Sequence, residues 1–141
     1  MNSIAMAQPY LRQAEERIKH AKEALGGGNY PYVVRQCREA VELLLKASLR
    51  LVGVEVPKWH DVGPVLRREA NRFPEWFQAE IPILARIPRK LRREREISMY
   101  GDEESGVPLD ELYDRFDAEE VLGYALQVYS TVLKLIQQYI T

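Results

Sequence analysis

The chain of 141 residues contains a single cysteine, Cys37, and only two histidines, His20 and His60. One cysteine excludes an intramolecular disulfide framework and a cysteine-rich metal site, and it fits a reducing compartment. The two histidines share no ligand-like spacing with acidic residues or with Cys37, so the sequence predicts no metal site. The helical spacing around Cys37 predicts a small apolar core residue there rather than a reactive thiol.

Long apolar runs are also missing. No stretch approaches the length that spans a membrane, and the first twenty residues are amphipathic instead of carrying the apolar core of a signal peptide. The triple glycine Gly26–Gly28 follows a helical pattern and lacks the Lys-Ser/Thr pair of a phosphate-binding loop. We therefore expect a cytoplasmic protein with no membrane contact and no cofactor.

What is present is ordinary for a folded domain. The hydrophobic fraction is 46% and the charged fraction 29%, which excludes general disorder. A chain of this length buries a sufficient core without metal or disulfide support. We expect one domain that spans residues 1–141.

Apolar residues recur at intervals of three and four along most of the chain, and no stretch alternates as a strand does. The first helix is predicted from Ile4 to Leu25 and the second from the cap residue Asn29 to about Gly53. Three glycines between them predict an antiparallel hairpin. A shorter third helix is predicted over Asp61–Asn71.

Prolines divide the second half of this pattern. They predict a short helix over Trp76–Ala85 and a separate helix over Pro88–Met99. Asp117 and Glu120 have the spacing of a capping box, which predicts the start of a long final helix. The predicted fold class is all-α, an up-and-down bundle of four longer helices plus one or two short ones.

The net charge of −1 hides two blocks of opposite sign. Between Arg86 and Arg95 the only acid is Glu94, whereas six residues are basic. The following segment, from Asp102 to Glu120, has nine acids and one base, Arg115. Such neighbouring blocks can neutralise each other within the fold or between subunits, so they do not by themselves indicate a nucleic-acid surface.

A distinctive pattern begins in the second predicted helix. Glu42 and Lys46 are spaced for an ion pair on one helix face, between Ala40 and Ala47, and His60 follows after a loop. This order resembles the HEPN domain (higher eukaryotes and prokaryotes nucleotide-binding domain), a family of small helical proteins. The resemblance covers about residues 5–140 and makes Glu42, Lys46 and His60 the family-motif positions.

The stretch RREREISMYG, residues 92–101, carries the second part of the resemblance. Many members have an arginine followed after four to six residues by a histidine, and a toxin subgroup has Arg-x4-His-x-Tyr. Here Arg93 and Tyr100 match, and Ser98 stands where the histidine would be. Arg86, Arg93 and Tyr100 are spaced by seven, so on an unbroken helix they share a face.

The resemblance implies roles for these positions. In the ribonuclease members the arginine holds the scissile phosphate and the histidine moves a proton or orients the 2′-hydroxyl. A guanidinium group suits phosphate, but a serine hydroxyl is no acid or base at neutral pH, and losing such a group costs about 10²–10⁴ in rate. We therefore expect ligand binding by Arg86, Arg89, Arg93 and Tyr100, and we assign no catalytic residue.

In toxin relatives the tyrosine at the position of Tyr100 receives a nucleotide from a small nucleotidyltransferase. The resemblance thus predicts a homodimer that binds nucleotide or RNA phosphate, acts with a minimal nucleotidyltransferase in a toxin–antitoxin-like pair, and is not itself an enzyme. Two alternatives remain open. One is an active, metal-independent ribonuclease toxin that uses Arg93 with a displaced base such as His60. The other is a non-catalytic helical adaptor whose charged blocks pair across a dimer.

Overall fold

A computed structural model of the chain describes residues 3–57, 61–100, 106 and 108–140, without the side chains of 92–100, 109 and 110. It contains four long helices and two short ones, and no strand among the residues described. The long helices are α1 (Ser3–Gly26), α2 (Tyr30–Leu51), α4 (Glu75–Tyr100) and α6 (Arg115–Ile140); the short ones are α3 (Val62–Arg68) and α5 (Leu109–Leu112). The predicted all-α bundle is confirmed.

The hairpin of α1 and α2 forms as the glycines predict. Gly28 has a positive φ of 78°, a conformation that glycine adopts without a steric penalty. The amide of Asn29 then donates to the carbonyl of Ala24 at 3.0 Å, which closes the end of α1. Asn29 lies at the N-cap position of α2, although its side chain makes no capping hydrogen bond there, and Pro31 lies in the first turn as predicted.

Helix α2 is the centre of the bundle, since it packs against α1, α4 and α6. More than half of its residues are buried, among them Leu44, Leu45 and Cys37. Buried apolar side chains from each of the four long helices belong to one cluster. The core position predicted for Cys37 is confirmed, because its side chain is fully buried.

The prediction of two helices around Pro88 is wrong, because α4 runs without interruption from Glu75 to Tyr100 with Pro82 and Pro88 inside it. A proline within a helix costs about 3 kcal/mol or more. The core side of α4 buries large apolar side chains on both sides of the prolines, and each contributes about 1.5–3 kcal/mol. Packing therefore holds the two proline positions in one helix; the buried residues are Phe77, Ile81, Leu84, Ile87 and Leu91.

The third helix is shorter than predicted. Helix α3 ends at Arg68, and a single 3-10 turn follows at Ala70–Arg72. After this turn the rings of Phe73 and Phe77 stack with centroids 4.5 Å apart, and Trp76 meets Phe77 edge-on at 5.7 Å. Phe73 and Phe77 are buried in the core, and Trp76 is partly buried against it.

Helix α6 begins one turn earlier than the predicted capping box at Asp117 and Glu120. Its N-cap pair is Asp114 with Asp117: the amide of Asp117 donates to Asp114 Oδ1 at 2.8 Å, and the amide of Asp114 donates to Asp117 Oδ2 at 3.0 Å. This reciprocal pair satisfies two amides at the start of the helix. It also places Phe116 in the first helical turn, where its side chain is 80% exposed.

Two polar contacts define how α4 and α6 run past each other. Trp76 Nε1 donates to Gln138 Oε1 at 2.9 Å, and Lys90 Nζ donates to the hydroxyl of Tyr124 at 2.8 Å. Fourteen residues separate the two contact positions on each helix, with opposite chain order. The helices are therefore antiparallel, with positions 76 and 90 level with 138 and 124.

The described helices include none that is both long enough and apolar enough to cross a membrane.

Candidate functional site

The basic residues of α4 lie on the side of the helix that faces away from the core. Arg86 and Arg89 are exposed, whereas Leu84 and Leu91 are buried on the opposite side. Because the helix is unbroken, its backbone places positions 86, 93 and 100 on one side, spaced by two turns. The side chains of Arg93, Ser98 and Tyr100 lie outside the described residues, so their predicted roles stay predictions.

Lys90 connects this basic side to α6. Its ammonium group donates to the hydroxyl of Tyr124 and also lies 5.0 Å from the centroid of that ring. The hydrogen bond to Tyr124 is the main reason that the pKa of Lys90 is raised, and the carboxylate of Glu120 acts in the same direction. Lys90 is thus held at the α4–α6 boundary as a cation.

Arg86 lies one helical turn before Lys90, so it occupies nearly the same side of α4. Arg86 and Arg89 are both exposed, and Arg86 lies on the side of α4 close to the boundary with α6. Guanidinium groups in such positions can each donate two hydrogen bonds to a phosphate. The exposed basic side of α4 is therefore the candidate phosphate-binding surface.

The family-motif pair Glu42 and Lys46 lies on α2, where both side chains are partly buried. Glu42 lies 4.0 Å from Lys46 Nζ, as the spacing predicts, and 4.0 Å from Arg38 Nη2. Arg38 was missed by the sequence reading, although it stands one turn before Glu42 and the same spacing rule could have found it. Glu42 is thereby placed between two cations.

A small pocket joins these residues to α3 and α4. Its volume is about 50 Å³, and it is lined by Arg38, Glu42, Asp61, Val62 and Pro88. Such a volume holds one or a few water molecules and is too small for a nucleotide. Glu42 is thus next to α4 near Pro88, in a pocket too small for the proposed ligand, and Lys46 is not among the lining residues. His60 lies outside the described residues.

Cys37 is the only cysteine of the chain, and its thiol is buried. Burial raises the pKa of the Cys37 thiol to about 12, so it is protonated at neutral pH. Within the part of the chain that the structure describes, no three side chains from His, Cys, Asp and Glu are grouped so that they could hold a metal ion.

A larger groove lies on another side of the bundle, between α1 and α6. It measures about 390 Å³ and is lined by Ile18, Lys19, Lys22 and Tyr129 together with Glu15 and Glu23. Of the predicted site residues whose side chains the structure describes, Glu42, Lys46, Arg86 and Arg89, none is among its lining residues. The structure therefore separates this groove from the basic side of α4.

Comparisons with known proteins agree with this architecture. The family model of the HEPN domain matches residues 7–135. A protein of Methanocaldococcus jannaschii described as "Putative toxin MJ1304" is 28% identical over 142 residues, which cover 96% of this chain and 91% of that protein. The crystal structure of TT1696 from Thermus thermophilus superposes with a TM-score of 0.68 at 26% identity, over 95% of this chain and 98% of the other.

Proposed function

This chain belongs to the HEPN domain family, and from that premise we propose that it is a homodimeric nucleotide- or RNA-phosphate-binding protein. In this proposal one domain of residues 1–141 works in the cytoplasm with a minimal nucleotidyltransferase, as one half of a toxin–antitoxin-like pair. The similarity to the M. jannaschii protein, whose name describes a toxin, supports the toxin-like role. The observation that carries the binding role is the exposed basic side of the unbroken helix α4.

The binding role follows from charge and geometry on α4. Arg86 and Arg89 are exposed at one end of the basic side of α4, and the helical repeat continues this side to positions 93 and 100. The cations on α4 recur at intervals of one or two helical turns, which matches the spacing of successive phosphates along an extended nucleic-acid strand only approximately. We therefore propose that they contact the phosphates of the ligand without reading its base sequence.

The proposed protein binds its ligand without cleaving it. Serine replaces the motif histidine at position 98, and a serine hydroxyl neither accepts nor releases a proton at neutral pH. Tyr100 is the proposed acceptor of a nucleotide from the partner enzyme, since its phenol is the group that such a transfer would modify. An added nucleotide would place negative charge beside the basic side of α4 and would block ligand binding there.

Salt-dependent RNA binding tests the proposal. We expect a labelled eight-nucleotide RNA to bind the wild-type protein with an affinity that falls steeply with salt. Replacing Arg86 or Arg89 by alanine, which removes one phosphate contact, should reduce the slope of log K against log salt by about 0.7. Arg12→Ala on α1, an exposed arginine elsewhere, is the matched control and should leave the slope unchanged.

Absence of binding by the wild-type protein at low salt would contradict the proposal and leave the helical adaptor as the remaining function.

For the partner, purification of the tagged protein from its native host should recover a small nucleotidyltransferase. Intact-mass measurement of the same sample should show one added nucleotide that is lost in Tyr100→Phe. Light scattering should give the mass of a dimer, and a strict monomer would remove the proposed assembly.

The active ribonuclease is the second candidate function. It is favoured by the toxin description of the M. jannaschii relative, and it requires a base other than residue 98. Metal-independent RNA cleavage by the wild-type protein would decide for it.

A further inference from the structure

Phe116 is the most exposed of the large apolar side chains that the structure describes, with 80% of its surface open to solvent. An exposed phenylalanine in the first turn of a helix contributes little to the core. An exposed aromatic ring is, however, the kind of surface on which nucleobases stack. The question is where this ring lies relative to the basic side of α4.

The register of the two antiparallel helices determines where Phe116 lies along α4. Lys90 is level with Tyr124, and Phe116 lies eight residues before Tyr124. Because both helices rise about 1.5 Å per residue, Phe116 is level with position 98 of α4, which lies eight residues beyond Lys90. Phe116 therefore lies beside the end of α4 that carries the Arg93–Tyr100 motif.

The direction of Phe116 around α6 agrees with this placement. Phe116 and Lys134 are eighteen residues apart, five full helical turns, so they occupy the same side of α6. Lys134 reaches α4 from that side, since its ammonium group lies 4.2 Å from the centroid of the Trp76 ring. Tyr124, which contacts Lys90 of α4, lies about 80° further round α6 than Phe116. Phe116 therefore lies at the outer edge of the side of α6 that borders α4.

The charges around Phe116 are unlike those on α4. The described neighbours Asp114, Asp117 and Glu120 are exposed acids, and Arg115 is paired with Glu119 at 2.7 Å. A phosphate would be repelled from this end of α6 and attracted to Arg86 and Arg89, which lie about 14–18 Å further along α4, so a strand of several nucleotides is the ligand that reaches both. A neutral base would meet no such repulsion, so the field favours a ligand with its phosphate on α4 and its base towards α6.

We propose that Phe116 is the stacking platform for a base of the ligand whose phosphate lies along the basic side of α4. This assignment rests on the binding role proposed above, and it adds a residue outside the family motif that distinguishes nucleotides from plain phosphates. Removal of the ring weakens binding of base-containing ligands and leaves binding of base-free polyphosphate unchanged.

The test compares Phe116→Ala with Phe116→Trp, using a fluorescein-labelled eight-nucleotide RNA and, by calorimetry, inorganic tripolyphosphate. Stacking of one base corresponds to a change in dissociation constant of about 5-fold to 150-fold. We expect Phe116→Ala to lose RNA affinity by that factor, Phe116→Trp to retain it, and both variants to bind tripolyphosphate like the wild type. Tyr139→Ala is the matched control, because Tyr139 is a 39% exposed aromatic residue at the other end of α6.

The outcomes separate this proposal from the one on which it rests. RNA binding that depends on Arg86 but stays within twofold of wild type in Phe116→Ala would overturn the stacking role and leave the phosphate-binding role intact. Equal losses for RNA and tripolyphosphate in Phe116→Ala would also overturn it. A wild-type protein that binds neither probe would overturn both. Since Phe116 is exposed, circular dichroism should show unchanged folding in both variants.

Discussion

At the scale of single residues, Tyr129 ties α6 to α1. Its hydroxyl donates to Glu15 Oε2 at 2.7 Å. This bond to a carboxylate, together with partial burial, raises the pKa of Tyr129 to about 12. Because the phenolate form would face the Glu15 carboxylate, the bond exists only while the tyrosine is protonated.

We expect Tyr129→Phe to lower the free energy of unfolding by about 0.5–1 kcal/mol at pH 7, a small value because water competes at this partly exposed site. The pKa is raised in the folded state, so this stabilisation is complete below pH 10, the ordinary tyrosine pKa, and is lost as the pH rises through about 12. Urea unfolding at pH 7, 9, 10.5 and 11.5 should therefore show a difference in the free energy of unfolding between wild type and Tyr129→Phe that becomes smaller above pH 10.

Tyr139→Phe is the control for this series, because Tyr139 lies on the same helix and is exposed. It should follow the wild type at every pH. A gap for Tyr129→Phe that stays constant up to pH 11.5 would show that the lost stability comes from packing and not from the bond to Glu15.

At the scale of helices, α3 crosses α4 at a glycine. A Cβ atom built on Gly63 would lie 2.7 Å from the carbonyl oxygen of Ala85, which belongs to the backbone of α4 and cannot rotate away. Close approach of this kind requires glycine, since any side chain forces the two helices apart. The contact also fixes the position of Val62 and Asp61 at the small pocket beside Glu42.

Gly63→Ala should destabilise the protein by about 1–3 kcal/mol, the usual cost of overpacking. Gly123→Ala on α6 is the matched control, because a Cβ there meets nothing within 4 Å and alanine favours a helix interior by about 0.5–1 kcal/mol over glycine. Thermal unfolding should give a lower Tm for the first variant and a higher Tm for the second. Equal Tm values for the two variants would mean that α3 can move away from α4 without cost.

Helix α4 shows what the sequence could not reveal at this scale. Pro82 and Pro88 follow a local rule that predicts helix ends, and that rule is correct for an isolated segment. It fails here because residues distant in sequence, on α2 and α3, bury the apolar side of α4 across both prolines. By contrast, the glycine turn at Gly26–Gly28 was predictable, since its conformation depends only on neighbouring residues.

At the scale of the whole molecule, the candidate site depends on the register between α4 and α6. The basic run and the spacing of Arg86, Arg93 and Tyr100 can be read from the sequence, and so can an all-α bundle. The position of Phe116 beside them cannot, because it follows from the contacts of Trp76 with Gln138 and of Lys90 with Tyr124. Sequence periodicity indicates which side of a helix is buried but not which residues of two helices are level.

The packing of the bundle determines how the two blocks of opposite charge lie relative to each other. Antiparallel packing places the acidic start of α6 level with the last two turns of α4. The charge of Glu120 helps to raise the pKa of Lys90 across this boundary. Two neighbouring surfaces of opposite charge can orient a ligand that is anionic at one end and neutral at the other, which a uniformly basic surface cannot do.

Restoring the motif histidine tests the assembled site as a unit. We expect the wild-type protein to leave RNA intact in the presence of EDTA, and Ser98→His to gain cleavage. A correctly placed acid–base group contributes about 10²–10⁴ in rate, so the gain should be measurable with a labelled RNA substrate on a denaturing gel.

The gain requires that every other component already lies in place, on both copies if the site is shared. Ser98→Ala is the control for a change at position 98 and should stay inactive, and Arg93→Ala combined with Ser98→His should lose the gained activity. Cleavage by the wild-type protein would instead support the active ribonuclease. Failure of Ser98→His to cleave RNA that it still binds would mean that the chain lacks more of the catalytic arrangement than one imidazole, because binding alone would then be all that the basic side of α4 provides.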